Sequence, residues 1–105
     1  MHICIVLTVH NRVNYTLAFL ESLKKSVVEN DVHINVVLVD DGSEDCTSTQ
    51  VKLYYPEVHI INGDGGLFWN GGMRVGMHYA EKFKPDFFLW VNDDIILDKN
   101  AIQKA

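Results

Sequence analysis

The apolar stretch Ile3-Cys4-Ile5-Val6-Leu7-Thr8-Val9 decides the fold, because it is the first of four short runs rich in β-branched or aromatic residues. The other runs cover residues 34–39, 58–61 and 87–91, and polar, Gly- or Asp-bearing residues follow each of them. The runs are continuous rather than alternating, which is typical of strands covered on both faces in a parallel sheet. We therefore predict four buried parallel strands.

The segments between these runs have helical patterns. They predict three helices, which begin at the caps Asn14, Ser43 or Asp45, and Asn70. The first helix is predicted to end near Val28, and Pro56 and Pro85 follow the ends of the other two. The order β-α-β-α-β-α-β, with right-handed crossovers, predicts an α/β fold with a Rossmann-like open, mainly parallel sheet.

Composition restricts the class of ligand. The 105 residues, with 48% hydrophobic and 22% charged residues, fit one globular domain. The net charge of -5 disfavours binding to nucleic acid or to an anionic membrane surface. A small phosphorylated ligand is still compatible with this charge, because a metal ion can supply positive charge locally.

The cysteines and the first apolar run bear on the cellular compartment. Cys4 and Cys46 form neither a CxxC pair nor a metal-ligand cluster, so we interpret them as reduced thiols. The run at residues 3–9 is too short to span a bilayer, and it has no basic region before it and no cleavage site after it. We therefore expect a cytoplasmic protein.

Polar groups follow all four predicted strands, at residues 8–12, 40–43, 63–72 and 92–94. Ligands of open parallel sheets bind beyond the carboxyl ends of the strands, so these groups are predicted to meet along one edge. Asp93 and Asp94 are adjacent acids whose charges repel each other unless a cation lies nearby, and Mg²⁺ or Mn²⁺ suits such oxygen ligands. The alternative is that the two acids only end the strand and cap the next turn.

Two further groups permit both a binding and a structural interpretation. Asp40 and Asp41 can accept hydrogen bonds from a ribose or a base, or can form an Asx turn that starts the second helix. Residues 63–72 contain five glycines around Leu-Phe-Trp. The backbone N–H groups of this segment can face a phosphate. Alternatively, the segment can form a mobile loop with an aromatic plug. This segment matches neither the P-loop nor the dinucleotide fingerprint.

Some charged residues are ambiguous when taken singly. Arg74 lies one helical turn after Asn70 and can reach a diphosphate, or can be a solvated surface charge. The histidines His10, His33, His59 and His78 lack ligand spacing, so we interpret them as residues of the surface or the core edge. No Ser/His/Asp or Cys/His set can be assembled from the chain.

Three segments together resemble the family-2 glycosyltransferases of the GT-A fold, and the likeness runs through essentially all 105 residues. They are Ile5-Val6-Leu7-Thr8-Val9-His10-Asn11-Arg12, Val39-Asp40-Asp41-Gly42-Ser43 and Asn92-Asp93-Asp94, the last in the place of the DxD motif. The resemblance implies that residues 1–105 are the nucleotide-sugar-binding part of a transferase domain, without its acceptor-binding part. In this sequence Asn92 replaces the first acid of DxD, and Met73 stands where many members have Arg.

The resemblance also implies roles for single residues. Thr8 and Asp41 would contact the base and ribose, Asp93 the ribose or sugar-phosphate region, and Asp94 a Mn²⁺ or Mg²⁺ ion on the diphosphate. The full donor-binding set that we predict is Thr8, Asn11, Arg12, Asp40, Asp41, Gly71, Gly72, Arg74 and Asp93. No residue of this stretch is predicted to be catalytic, because the resemblance places the base in the following half of the domain.

The segment Gly66-Leu67-Phe68-Trp69-Asn70-Gly71-Gly72 is similar to the rhamnosyltransferase-like branch, which acts in bacterial surface polysaccharide assembly. That branch implies a dTDP- or UDP-sugar donor. The resemblance to the family as a whole implies inversion at the anomeric carbon and a glycan or lipid-linked acceptor held by the other half. We also expect a peripheral location at the inner face of the membrane. We expect residues 1–105 alone to bind nucleotide diphosphate weakly with metal and to transfer sugar poorly or not at all. An uncovered sheet edge also predicts self-association.

Other classes of protein compete with this interpretation. A non-catalytic nucleotide-sugar-binding module would share the same acids without any transfer. A nucleotidyltransferase needs a Gly-rich loop directly after the first strand, and residues 8–12 contain no glycine. A purely structural Rossmann-like domain leaves the acids at the strand ends unexplained.

Overall fold

The computed structural model describes residues 2–26 and 33–92, and it confirms the predicted alternation of strands and helices. The strands are β1 (His2–Val9), β2 (His33–Asp41), β3 (His59–Gly63) and β4 (Phe87–Trp90). The helices are α1 (Val13–Ser26), α2 (Thr47–Tyr54) and α3 (Phe68–Ala80), and a 3-10 turn (Glu81–Phe83) follows α3. The strands form one sheet in the order β3-β2-β1-β4, and every pairing is parallel.

Helices cover both faces of the sheet. Alternate residues of β1 point to opposite sides, so Ile5 and Leu7 pack with α1 and α2 while Cys4 and Val6 pack with α3. The larger of the two cores is centred on Phe19 of α1, which is fully buried. This arrangement confirms the predicted α/β layers.

The prediction that all four strands are buried is right for most of β1 and β2; β3 is mostly half-buried, and the prediction is wrong for β4. Its four side chains are 37–58% exposed. The strand lies at the edge of the sheet, with β1 as its hydrogen-bonded neighbour, so its apolar composition alone does not bury it. The same edge position explains why a continuous apolar run misled the prediction.

The helices do not begin at the predicted caps. Helix α1 begins at Val13, whose N–H donates to the Asp45 carboxylate at 2.9 Å, and α3 begins at Phe68, whose N–H donates to Asp41 at 2.9 Å. Helix α2 follows Cys46, which has a left-handed φ of 65° and makes no side-chain cap. Carboxylates distant in sequence therefore supply the caps of α1 and α3, and local pattern cannot reveal them. The predicted end of the first helix at Val28 lies outside the described residues.

The strand order creates a switch point between β1 and β4. The chain runs from β1 to β2 to β3 in one direction, and α3 then carries it back across the sheet to β4 on the other side of β1. Ligand clefts in open α/β sheets form at such points, beyond the carboxyl ends of the strands. Within residues 2–26 and 33–92, no helix is long and apolar enough to cross a membrane.

Candidate functional site

A cleft of about 450 Å³ lies at this switch point. Its volume falls in the range usual for small-molecule sites. All four predicted polar groups contribute to its wall, and the lining residues are Thr8, Val9, His10, Arg12, Asp41, Gly65, Phe68, Trp69 and Asn92. The fold thus brings together Thr8, Arg12 and Asp41 of the predicted donor-binding set, together with the strand end that precedes Asp93 and Asp94.

Two hydrogen bonds connect the loop after β1 to the loop after β2. The Asn11 N–H donates to Ser43 Oγ at 2.9 Å, and the Asn11 side-chain oxygen accepts the Glu44 N–H at 2.6 Å. Asn11 has φ 52°, a left-handed conformation that Asn tolerates better than most residues. Asn11 does not line the cleft, so its visible contribution is to hold the two loops together.

His10 points into the cleft from the same loop, although its spacing predicted only a surface or core-edge residue. Its Nδ1 lies 2.6 Å from the backbone oxygen of Asp41, and its Nε2 lies 3.2 Å from Asn11 Nδ2. The two contacts fit one neutral tautomer, in which Nδ1–H donates to the carbonyl and Nε2 accepts from the amide. The signal that sequence reasoning passed over is its position directly after a strand.

Asp41 lines the cleft and is 3% exposed. Its carboxylate accepts backbone N–H groups from Gly65 at 2.9 Å, Leu67 at 3.3 Å and Phe68 at 2.9 Å. Burial raises the pKa of this carboxyl, but the three N–H donors, with a smaller contribution from His10, outweigh burial and place the pKa below its ordinary value. Asp41 is therefore an anion whose charge the protein largely satisfies by itself.

Asp40 is adjacent in sequence and faces different partners. One carboxylate oxygen accepts the Ser43 N–H at 3.1 Å, and the other accepts the Ser48 hydroxyl at 2.5 Å. The Ser48 hydroxyl also lies 3.0 Å from the Asn62 side chain, which ties α2 to β3. Asp40 is 4% exposed and does not line the cleft, so the geometry matches the Asx-turn interpretation of this acid.

Thr8 and Gly72 pack directly against each other where α3 crosses β1. Gly72 is buried, and a Cβ added there would overlap the Thr8 side chain, coming within 2.9 Å of its Cβ. The Thr8 hydroxyl is buried and has no hydrogen-bond partner among the described residues. Such an unsatisfied polar atom is uncommon in folded proteins and here lies in the wall of the cleft.

Arg74 and Gly71 lie away from the cleft. Arg74 lines a separate groove on α3 beside Trp69 and Trp90, whose rings meet edge to face at 6.2 Å between centroids. The Gly71 N–H donates to the Leu67 backbone oxygen at 3.1 Å, and a Cβ added at Gly71 would meet the Leu67 side chain at 3.5 Å. Of the two arginines in the predicted donor-binding set, the structure therefore brings Arg12 to the cleft and leaves Arg74 outside it.

Phe68 and Trp69 form the aromatic wall, which the sequence indicated only as a plug in a loop. They are 74% and 44% exposed. Asp93 and Asp94, the predicted ribose and metal contacts, lie outside the described residues. Within the described ranges, no group of three or more His, Cys, Asp or Glu residues could hold a metal ion.

The open parallel sheet with its switch-point cleft has the architecture of an α/β domain of the GT-A type. The sequence profile of Glycosyl transferase family 2 matches residues 4–105, and the chain belongs to that family. An uncharacterized glycosyltransferase of Rickettsia typhi is 26% identical over 102 residues, covering 96% of this chain and 30% of the relative. One of Rickettsia felis is 30% identical over 105 residues, covering 96% and 16%. The chain thus spans about a third or less of the length of these relatives.

Solved structures agree on the fold. S. aureus TarS 1–349 superposes with a TM-score of 0.76 at 25% identity, covering 99% of this chain and 31% of that one. TarS 1–349 has also been solved in complex with UDP-GlcNAc. A mannosyltransferase from Pyrobaculum calidifontis, solved with GDP-Man and Mn²⁺, gives a TM-score of 0.78 at 14% identity, covering 96% of this chain and 31% of that one. The latter likeness shows the fold alone.

Proposed function

We propose that this chain is the donor-binding part of a glycosyltransferase, and that it binds a nucleotide-diphosphate sugar in the cleft at the switch point of the sheet. The observation that carries the proposal is the convergence of Thr8, Arg12, Asp41 and the aromatic wall on one cleft of about 450 Å³. Membership of a glycosyltransferase family and the UDP-GlcNAc complex of a structural neighbour at 25% identity support the choice of ligand.

The cleft has walls suited to the parts of such a ligand. Phe68 and Trp69 offer flat apolar surfaces on which a base or sugar ring can pack. Arg12 brings a guanidinium, whose paired donors match phosphate oxygens. Its guanidinium carbon lies 5.3 Å from the ring centre of Tyr15, which helps to keep the side chain beside the cleft.

We also propose that a Mg²⁺ or Mn²⁺ ion accompanies the donor and that Asp94 holds it. Arg12 is the one Lys or Arg among the described residues that line the cleft, so this lining has little positive charge to set against a diphosphate. Asn92 lines the cleft, and Asp93 and Asp94 follow it directly in the sequence. Oxygen ligands of this kind suit hard divalent cations. A bound cation would stabilise the charge that develops on the leaving diphosphate.

The remaining features of the proposal come from the family resemblance. The donor is a dTDP- or UDP-sugar, the acceptor is a glycan or a lipid-linked sugar, and transfer inverts the anomeric carbon in bacterial surface polysaccharide synthesis. The general base and the acceptor site belong to a part of the protein other than residues 1–105. The whole protein is cytoplasmic and works peripherally at the inner face of the membrane.

Calorimetric titration of the chain with uridine diphosphate and with deoxythymidine diphosphate, each with and without Mn²⁺, tests the proposal. We expect weak binding that needs the metal, and we expect Asp94→Asn to remove the effect of Mn²⁺. The matched control is Glu44→Gln, which changes an exposed acid outside the cleft lining and should leave binding unchanged. Binding that ignores the metal, or no binding of either nucleotide, would contradict the proposal.

A further inference from the structure

Two histidines lie side by side at the amino end of the sheet, which is the end opposite the cleft. His2 of β1 and His33 of β2 are partners in the register of the two parallel strands. Partners in register point to the same face of a sheet, and the two imidazole ring centres lie 4.9 Å apart with their planes tilted by 56°. The two residues are far apart in the sequence, so only the fold brings them together.

The separation of the rings suits two ligands of one metal ion. Imidazole nitrogens lie about 2.0–2.1 Å from Zn²⁺, and two ligands of a four-coordinate ion subtend about 90–110°, which puts their ring centres roughly 4.5–5.2 Å apart. The observed 4.9 Å falls inside this range. Packed aromatic rings lie at similar distances, so a metal site also requires ring nitrogens that can reach an ion.

Both rings can offer such a nitrogen. His33 is exposed, and its ring has no hydrogen-bond partner among residues 2–26 and 33–92. His2 is half-buried, and its Nε2 lies 2.7 Å from Nδ2 of the Asn35 side chain. A half-turn of that amide puts its oxygen there instead, so that Nε2–H donates to Asn35 and Nδ1 keeps the lone pair that binds an ion. Histidines that bind metal commonly donate their second N–H in this way, which fixes the orientation of the ring.

Asp86 fixes the backbone at His2. Its carboxylate accepts the His2 N–H at 2.8 Å, and its own N–H donates to the His2 backbone oxygen at 2.7 Å. These two bonds hold the first residue of β1 in place. A carboxylate so close to His2 also adds negative charge, which favours a cation nearby.

We propose that His2 and His33 together bind a transition-metal ion of the Zn²⁺ class, with water completing its coordination. Imidazole suits Zn²⁺, Cu²⁺ and Ni²⁺, whereas Mg²⁺ and Mn²⁺ prefer oxygen ligands. Two protein ligands are fewer than the three or four of most zinc sites, so the affinity is modest. The bound ion joins β1 to β2 at the amino end of the sheet.

This site is separate from the proposed nucleotide site. A strand rises about 3.3 Å per residue, so His2 lies roughly 20 Å along β1 from Thr8, which lines the cleft. The two sites also differ in the ions that they take, since the ion proposed to accompany the donor is Mg²⁺ or Mn²⁺. Zinc binding can therefore be measured without nucleotide, and its failure would leave the proposed function untouched.

Calorimetric titration of the chain with ZnCl₂, in the absence of nucleotide, tests the proposal. We expect His2→Gln and His33→Gln each to weaken zinc binding at least about tenfold, because even the loss of an outer-shell partner of a metal ligand costs about tenfold to a hundredfold. The matched controls are His78→Gln and Cys46→Ser, which remove exposed metal-binding side chains elsewhere in the chain. Both controls should leave the affinity unchanged.

Cu²⁺ gives a direct readout of the ligands. Electron paramagnetic resonance with one equivalent of Cu²⁺ should show coupling to two imidazole nitrogens in the unsubstituted chain and to one in His33→Gln, an exposed position whose substitution should not disturb the fold. The absence of zinc binding by the unsubstituted chain would overturn the proposal. Equal weakening by His78→Gln, or a loss confined to one histidine of the pair, would also overturn it, because the ion would then have a different set of ligands.

Discussion

Gly72 of α3 packs against Thr8 of β1 so closely that a Cβ on the glycine would overlap the threonine side chain. This contact connects α3 to the wall of the cleft, because Thr8 is one of the residues that line the cleft. Gly72 itself does not line the cleft. The two predicted site residues are therefore in direct packing contact. A substitution at Gly72 should displace the Thr8 side chain.

We predict that Gly72→Ala destabilises the fold by about 1–3 kcal/mol, the usual cost of overpacking, and weakens nucleotide binding by displacing Thr8. The matched control is Gly71→Ala, whose Cβ would meet Leu67 Cβ at an ordinary 3.5 Å. That substitution should instead stabilise α3 by up to about 1 kcal/mol, the helix preference of Ala over Gly. Urea unfolding and calorimetric titration measure the two effects. Equal behaviour of the two variants would contradict the packing argument.

Arg12 and Arg74 provide a second matched pair. Arg12 lines the cleft, whereas Arg74 lines the groove beside Trp90. We predict that Arg12→Ala weakens binding of uridine diphosphate about tenfold or more, since a hydrogen bond to a charged group is lost, and that Arg74→Ala has little effect. Dissociation constants at two salt concentrations provide the measurement. A larger loss for Arg74→Ala would support the donor-binding role that the sequence predicts for Arg74.

Asp45 should make stability depend on pH. Burial raises the pKa of this carboxyl, but hydrogen bonds from the Thr47 hydroxyl and the Val13 N–H outweigh burial and lower the pKa below its ordinary 3.8. Because the folded-state pKa lies below the unfolded one, the stabilisation is complete above the unfolded value and is lost as pH falls through the folded value. Asp41 shifts in the same direction. The free energy of unfolding should therefore fall as the solution is acidified below about pH 5.

The substitution Asp45→Asn isolates the contribution of Asp45. We predict a loss of about 1–2 kcal/mol at pH 7, the range for a lost cap, and a shallower decline on acidification. Glu21→Gln is the control, because it removes an exposed ion pair to Lys25 at 3.3 Å and should cost under about 0.5 kcal/mol. Urea unfolding at a series of pH values provides the test, and an unchanged slope for Asp45→Asn would argue against the capping role.

We expect the chain to self-associate because β4 is an exposed strand at the edge of the sheet. Leu89 is 37% exposed there, whereas Leu53 is 66% exposed on helix α2 rather than on a strand. A charge on an edge strand opposes pairing between sheets, so Leu89→Lys should lower any self-association seen by sedimentation, and Leu53→Lys should not. A monomeric unsubstituted chain at high concentration would refute the expectation.

Much of this site can be predicted from local pattern. The runs of β-branched residues determine where strands form. The parallel arrangement then brings Thr8, Asp41 and Asn92 together beyond the carboxyl ends of the strands. The exposure of β4 could not be predicted in this way. An apolar run has the same composition whether it lies inside a sheet or at its edge, and only strand order distinguishes the two.

The sequence by itself determined the order of the elements, the parallel sheet and the end of the sheet at which the predicted site residues gather, because these follow from periodicity and from short-range preferences. Tertiary structure alone decided which polar atoms remain available to a ligand. Asn11 meets Ser43 across 32 residues, and Asp41 meets Phe68 across 27. A polar group that bonds to another part of the protein is no longer free to bond to a ligand. Its protein partner is too distant along the chain to be recognised from a local sequence pattern.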